Sequence, residues 1–111
     1  NIIMSKDTFQ RIIDREIPAT IIYEDDKAIA FLDIDPEEKG HFLVVPKEFS
    51  ENLFDIDEET FAYIFPLARK LALQQIKKLN ASGFRLIVNN GESAGQAVFR
   101  THIHIIPYYD N

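Results

Sequence analysis

Two histidines, His102 and His104, lie one residue apart in the apolar, β-branched segment THIHII near the C-terminal end of the chain. An imidazole titrates near neutral pH and keeps a nitrogen available, so such a pair can act as nucleophile, general base, general acid or metal ligands. Alternate side chains of a strand point to opposite faces, so Arg100 would share a face with both histidines. The spacing predicts a polar row on one face and a packing row on the other.

The segment before these histidines, NNGESAGQA, has features of an anion-binding loop. Gly91 and Gly95 allow backbone N–H groups to approach an anion closely, and Asn89 and Gln96 add side-chain amide donors. A flexible connection between two strands would have a similar composition. The loop therefore indicates a phosphate site only because the histidines follow it.

The hydrophobic pattern predicts two helices. A short helix is predicted at residues 7–15 with Asp7 as the N-cap, and a long helix from residue 57 to about residue 79 with Asp57 as the N-cap. Pro66 lies inside the long helix, where its missing N–H should bend the helix or shift its start.

Five apolar runs predict strands at residues 20–23, 28–32, 41–46, 83–91 and 98–107, the fourth of which runs into the loop. Pro46 should end the third strand, which His41 opens. The order α, β, β, β, α, β, β predicts an α+β domain with a five-stranded, mainly antiparallel sheet.

Composition limits the classes of protein to which the chain can belong. Its 111 residues suit one domain, and we expect a single unit in which residues 1–3, ahead of Met4, are an appended segment. The hydrophobic fraction is 46%, and no apolar run approaches the ~20 residues of a membrane-spanning helix. No cysteine is present, which excludes disulfides, thiolate metal sites and a cysteine nucleophile. We expect a cytoplasmic protein with no membrane partner.

The charge balance limits the ligands. Eighteen acidic and twelve basic side chains give a formal net charge of −6 at pH 7, which would repel a nucleic-acid backbone. Backbone amides and a few placed side chains can still hold a small phosphate-bearing ligand. We therefore expect no nucleic-acid partner and leave a phosphate ligand open.

Three segments, IIDREIPATIIYEDDKAIAFLDIDPEEKGHFLVVPK, NNGESAGQAVF and HIHIIP, resemble the histidine-triad (HIT) family in order and spacing, and are similar to its nucleoside phosphoramidase-like branch. The resemblance spans nearly all of the chain. It implies a hydrolase or transferase that cleaves nucleoside monophosphates from phosphoramidate or polyphosphate conjugates. The reaction would pass through a covalent nucleotidyl-histidine, with a purine nucleotide such as AMP as product and no required cofactor.

The resemblance also implies roles for individual residues. His102 matches the nucleophile, His104 the histidine that contacts the phosphate and assists the leaving group, and His41 a further histidine beside them. A nucleophilic imidazole replaces one difficult displacement by two easier ones. The implied phosphate contacts are Asn89, Gly95, Gln96 and the backbone around Ala97, where some relatives place serine, so one hydroxyl contact is expected to be missing.

For the nucleoside, the resemblance implies that Asp33 accepts a hydrogen bond from a ribose hydroxyl. Without it, Asp33 would be equally well explained as a turn or cap residue. The base pocket would be walled by apolar side chains, which at these spacings are core residues in most proteins. These are Phe9, Ile12, Ile17, Phe31 and Ile34.

Arg100 departs from the family pattern because it occupies the place of the first triad histidine. Arginine is permanently cationic and cannot act as a general base at neutral pH. Activity could persist, because the backbone carbonyl that orients the middle histidine does not depend on the side chain. Alternatively, the guanidinium could lower the pKa of His102 and bind a phosphate or an acidic side chain. We expect His102→Ala to abolish turnover and Arg100→His to raise it.

Three other possibilities follow from the same residues. A weakened enzyme would be a nucleotide-binding or partner-binding module, an alternative that Arg100 favours. Three imidazoles can also bind zinc, so His41, His102 and His104 are a less favoured metal set. Finally, the resemblance suggests a homodimer with the long helices at the interface, and apolar positions such as Leu71 and Leu73 on more than one side of that helix are compatible with it.

Overall fold

The computed structural model describes residues 6–110, so the expectation for residues 1–3 lies outside the described part of the chain. Five strands form one sheet in the order β1-β2-β3-β5-β4, with every neighbouring pair antiparallel. The predicted fold class is confirmed. In chain order the elements are α1 Thr8–Ile13, β1 Ile21–Glu24, β2 Ala28–Leu32, β3 Phe42–Pro46, α2 Glu58–Leu79, β4 Gly83–Ile87 and β5 Ile103–Tyr108.

Both helices begin at the predicted N-caps. The side chain of Asp7 accepts a hydrogen bond from the backbone N–H of Gln10, and that of Asp57 accepts one from Thr60. Pro66 lies within α2, which begins directly after its predicted N-cap. The alternative of a shifted helix start is therefore wrong, and the alternative of a bend stays a prediction. No helix of residues 6–110 combines the length and the apolar character needed to cross a membrane.

The two faces of the sheet are covered by different helices. On one face α2 buries Ile64, Ala68 and Ala72 against the central strands. On the other face α1 buries Phe9 and Ile12. The strand residues packed with α2 are Ala28, Ala30, Phe42, Val44, Ile103 and Ile105, and those packed with α1 are Ile29, Phe31, Leu43 and Val45.

The last strand begins later than predicted. Residues 98–102 form bends and irregular backbone, and β5 starts only at Ile103. The backbone N–H of Thr101 donates to Ser50 O at 2.9 Å, and the two side-chain hydroxyls lie 2.6 Å apart. These contacts hold the segment against the chain after β3 instead of in the sheet. The predicted row of Arg100, His102 and His104 on one strand is therefore wrong, since only His104 lies within β5.

Candidate active site

A cleft of about 470 Å³ lies on the α1 side of the sheet. The cleft is lined by His102, which is 7% exposed, and by His104, which is half-buried. The ring centroids of these two histidines are 4.8 Å apart. The two histidines therefore meet in one concave site, as their spacing predicted, although they do not lie on the same regular strand. The other lining residues are Phe9, Asp33, Glu37, Leu43, Ile87, Asn89, Gly95, Ala97, Val98 and Ile106.

The tautomer of His102 follows from its one backbone contact. Its Nδ1 lies 2.7 Å from the carbonyl oxygen of Arg100. A carbonyl oxygen only accepts hydrogen bonds, so Nδ1 carries the proton. The lone pair of the neutral ring then resides on Nε2, which is the form that a nucleophilic imidazole requires.

His41 and His104 form a hydrogen-bonded chain beside this ring. The backbone N–H of Glu37 donates to His41 Nδ1 at 3.1 Å, so the proton of neutral His41 is on Nε2. His41 Nε2 lies 3.0 Å from His104 Nδ1, which therefore accepts and leaves the His104 proton on Nε2. Asp33 Oδ2 is 3.5 Å from the same His41 nitrogen. These hydrogen bonds leave the Nε2–H of His104 available to donate to a ligand.

Burial lowers the pKa of both cleft histidines. Desolvation lowers the pKa of His102 below 6.5, against the opposing effect of its hydrogen bond to the Arg100 carbonyl. Desolvation and the neighbouring His102 and His41 rings lower the pKa of His104 to about 4. Both imidazoles are therefore neutral at pH 7, which suits His102 to attack an electrophilic phosphorus.

The loop before β5 brings three of its four predicted phosphate-contacting residues to the cleft, and their contact with phosphate stays a prediction. Asn89, Gly95 and Ala97 line the cleft, and Gly95 has a φ of 91°, which a residue with a Cβ rarely adopts. Gln96 is different, because it is 4% exposed and its side chain holds the loop together. Its Oε1 accepts from Gly91 N at 2.8 Å, and both of its amide protons are engaged by backbone carbonyls. The predicted role of Gln96 as a side-chain phosphate donor is therefore wrong.

The predicted nucleoside residues divide into two groups. Phe9 and Asp33 line the cleft, and Asp33 also forms the turn that was its alternative explanation, with Oδ1 accepting from Asp35 N at 2.9 Å. The other four do not line this cleft. Phe31 is buried behind Phe9, Ile12 and Ile17 border a separate depression, and Ile34 is 93% exposed in the turn after β2.

The guanidinium of Arg100 lies outside the cleft. It is 1% exposed and donates to the carbonyl oxygens of Pro46 and Lys47 at 3.0 and 2.8 Å. Its other terminal nitrogen meets Gln10 and the carboxylate of Asp7. The expectation that Arg100 binds an acidic side chain is met at Asp7. Its expected contact with a phosphate is not supported, because Arg100 does not line the cleft. Its expected lowering of the His102 pKa is not supported either, because burial is what lowers that pKa.

The comparison with known proteins decides the family. The HIT domain family model matches residues 14–111. This chain belongs to the HIT family. A 13.1 kDa HIT-like protein of Mesomycoplasma hyorhinis is 59% identical over 104 residues, with 94% of each chain covered.

Two solved HIT structures share the fold. One is a hypothetical histidine triad nucleotide-binding protein from Sulfolobus tokodaii strain7, with 41% identity and a TM-score of 0.91 over 94% of this chain and 70% of the other. The second is a HIT family hydrolase from Clostridium thermocellum, with 39% identity and a TM-score of 0.84 over 97% and 95% of the chains. Of these two relatives with the same fold, one is named a nucleotide-binding protein and the other a hydrolase.

The HIT cleft also offers a possible metal-binding trio. The ligand atoms of Asp33, His41 and His104 lie within 4.8 Å of one another. This trio differs from the predicted zinc set of three histidines, because it contains Asp33 in place of His102. In the observed trio, His41 Nε2 points its proton at His104. A metal would have to displace that proton and break the hydrogen bond, so the donor set does not fit a metal as it stands.

Several residues of the HIT cleft were not predicted. Leu43 and Ile106 follow from strand alternation, since they are two residues from His41 and His104. Glu37 is four residues before His41 in a charged loop, and nothing in that loop distinguishes it from its neighbour Glu38. Asn52, which lies behind the cleft lining, had no sequence signal either, although its amide donates to Gln96 Oε1 at 3.0 Å and supports the loop before β5.

Proposed function

We propose that the protein cleaves nucleoside 5′-phosphoramidates to a nucleoside monophosphate and an amine through a nucleotidyl-His102 intermediate. The observation that carries the proposal is the hydrogen bond from His102 Nδ1 to the Arg100 carbonyl, which leaves the Nε2 lone pair free at the cleft. The nucleotide-binding and hydrolase names of the S. tokodaii and C. thermocellum relatives support it.

The proposed reaction has two displacement steps at phosphorus. The Nε2 lone pair of His102 attacks phosphorus and an Nε2–P bond forms, while the bond to the amine nitrogen breaks and that nitrogen takes a proton from solvent; the water that reacts in the second step returns one proton to solvent. The N–H of His104 stabilises the phosphoryl oxygen or the departing nitrogen. Water then attacks phosphorus, and the electron pair of the Nε2–P bond returns to His102. Over both steps one water molecule is consumed, with a proton ending on the amine and the hydroxyl on the nucleotide.

The charge of the cleft favours an amine over a polyphosphate as the leaving group. Asp33 and Glu37 both line the cleft, and no lysine or arginine does so among residues 6–110. A polyphosphate leaving group carries several negative charges, so these carboxylates would repel it. An amine is neutral or cationic and meets no such repulsion.

The nucleoside would lie along the Phe9 side of the cleft. The Phe9 ring would offer an apolar surface to a base, and the half-buried Asp33 carboxylate, which also lines the cleft, would accept a hydrogen bond from a ribose hydroxyl. A purine monophosphate such as AMP is therefore the proposed nucleotide.

The experiment measures AMP release from adenosine 5′-phosphoramidate and from a dinucleoside polyphosphate under the same conditions. We expect a higher kcat/KM for the phosphoramidate and, in quenched samples, a mass increase of one AMP on the peptide that contains His102. Glu37→Gln should reduce the ratio of kcat/KM for the phosphoramidate to kcat/KM for the polyphosphate. The control Arg69→Lys, at an exposed position on α2, should leave this ratio unchanged. Tight AMP binding without release from either compound would instead make the protein a nucleotide-binding module.

We also propose that two copies associate through α2 and the sheet edge. Phe61 and Leu73 of α2 are 44% and 43% exposed, and Leu86 on the edge strand β4 is 38% exposed. Apolar side chains and an open edge are features that a symmetric dimer covers. Sedimentation equilibrium should give twice the chain mass, and a concentration-independent monomer would exclude the dimer.

A further inference from the structure

Arg100 connects two elements that border the cleft. It is the largest fully buried side chain of the described residues, and its Nη2 donates to two carbonyl oxygens at the C-terminal end of β3. Its Nη1 donates to Gln10 Oε1 at 2.5 Å and lies 3.4 Å from Asp7 Oδ2, in the first turn of α1. The planar fork of a guanidinium can serve both elements at once. An imidazole has only two nitrogens, and an ammonium lacks the fork.

Helix α1 has few other attachments. It contains six residues, of which only Phe9 and Ile12 are buried. A helix of this length is unstable in water by itself, so its position depends on the contacts it makes with the rest of the chain. Asp7 is both the N-cap of α1 and a partner of Arg100. Arg100 therefore contacts the residue on which the start of the helix depends.

Helix α1 also carries one wall of the cleft. The Phe9 ring lies edge-on to His102, with the centroids 4.9 Å apart, and lines the surface proposed to receive the nucleoside. We propose that Arg100 is a positioning residue, which clamps the first turn of α1 to the end of β3 and so holds Phe9 against His102. This inference rests on the proposed function, because it assigns the clamp a role in binding that substrate.

The clamp reverses one expectation drawn from the sequence. Arg100 occupies the place of the first triad histidine, and Arg100→His was expected to raise turnover. The guanidinium lies outside the cleft, and a histidine at this position cannot reach both Gln10 and the carbonyls of β3. Arg100→His is therefore expected to weaken substrate binding.

Two variants test the clamp from opposite ends. Arg100→Lys keeps the charge but removes the fork, and Gln10→Ala removes an acceptor on α1 while favouring the helical conformation. Arg69→Lys is the matched control, since Arg69 is exposed on α2. The readouts are KM and kcat with adenosine 5′-phosphoramidate, calorimetric affinity for AMP, and amide hydrogen exchange.

Both variants should raise KM roughly tenfold, a factor equivalent to ~1.4 kcal/mol. The value of kcat should stay within about twofold, because the His102 contact with the backbone carbonyl remains. Exchange should accelerate at the α1 amides and stay slow in β3 and β5, and the control should match the wild type.

Unchanged α1 exchange in both variants would overturn the inference. So would faster exchange throughout the sheet with KM and kcat affected together, because Arg100 would then only stabilise the fold. If the wild type releases no AMP, the proposed function fails, and the clamp is decided by AMP affinity and α1 exchange alone. Weaker AMP binding together with faster exchange at the α1 amides, and slow exchange in β3 and β5, would still support it.

Discussion

The two faces of the sheet differ in how completely a helix covers them. The 22-residue helix α2 covers one face, where Ile103 and Ile105 are fully buried. The six-residue helix α1 covers only part of the other, where His104 stays half-buried in an open cleft. Because alternate residues of β5 serve opposite faces, one short segment supplies both core and site. A short helix on one side is thus what makes room for a ligand.

The comparison implies that substitutions on the two faces should have different consequences. Changes beneath α2 should alter the free energy of unfolding and leave the chemistry intact. Changes beneath α1 should alter turnover or binding by more than they alter stability. Each of the following predictions tests this separation.

The largest effect is expected for His102→Ala on the cleft face. Without the attacking nitrogen, AMP release from adenosine 5′-phosphoramidate should fall by ~10³-fold or more. Binding of AMP should persist, because Phe9 and Asp33 remain. Release at the wild-type rate would remove His102 from the mechanism and place the chemistry elsewhere.

On the α2 face, Ile64→Ala should lower the free energy of unfolding by about 2–5 kcal/mol, because it leaves a cavity in a fully buried cluster. Urea unfolding measures this loss. The kcat of the folded fraction should match the wild type. A loss of kcat without a loss of stability would show that the two faces are not separable.

The pH profile should identify the state of His102. Its pKa lies below 6.5 because the ring is buried, and only the neutral ring has a lone pair on Nε2. The value of kcat/KM should therefore stay flat from pH 8 to 6.5 and then fall, approaching about tenfold per pH unit below the pKa. An acid limb centred above pH 6.5 would contradict the neutral nucleophile.

The smallest effect concerns a polar contact between α2 and the β1–β2 turn. Burial opposes ionisation of Asp25, but hydrogen bonds from Tyr63 and Tyr23 outweigh it and lower the pKa from 3.8 to about 2. A lowered carboxyl pKa adds stability above pH 3.8, and that stability is lost as the pH falls from 3.8 to about 2.

Tyr63→Phe should cost about 1 kcal/mol at pH 7 and less at pH 2, where Asp25 is partly protonated. Urea unfolding at both pH values provides the measurement, and AMP release should not change. An equal cost at both pH values would mean that the hydroxyl does not act through the carboxylate.

Local patterns predicted the elements well where neighbouring residues decide the structure. The N-cap Asp57 and the apolar stripe predicted a helix from residue 57 to about residue 79, which α2 matches at Glu58–Leu79, and strand β2 has the predicted bounds. The final strand was predicted five residues too early, because the apolar pattern of residues 98–102 resembles that of a strand. Long-range bonds such as Thr101 N to Ser50 O prevent these residues from joining the sheet.

The candidate site was predicted in part for the same reason. His102 and His104 line the cleft with Asn89, Gly95 and Ala97, and the buried His41 is hydrogen-bonded to His104, in agreement with the family pattern. Five residues assigned to the site lie elsewhere. Gln96 is bonded within the loop, and Phe31 is in the protein core. Ile12 and Ile17 border a separate depression, and Ile34 is exposed to solvent. An apolar side chain shows no difference in sequence between core and pocket, since both bury it.

The sequence by itself determined the α+β order, the helix starts and the histidines that could carry chemistry, because caps and periodicity act between residues close along the chain. Only the tertiary structure decided that the Arg100 side chain leaves the cleft and clamps α1, while its carbonyl orients His102. The partners of that guanidinium are more than 50 residues away along the chain, with separations of 90 to Gln10 and 54 to Pro46. No local pattern encodes a contact between groups so distant.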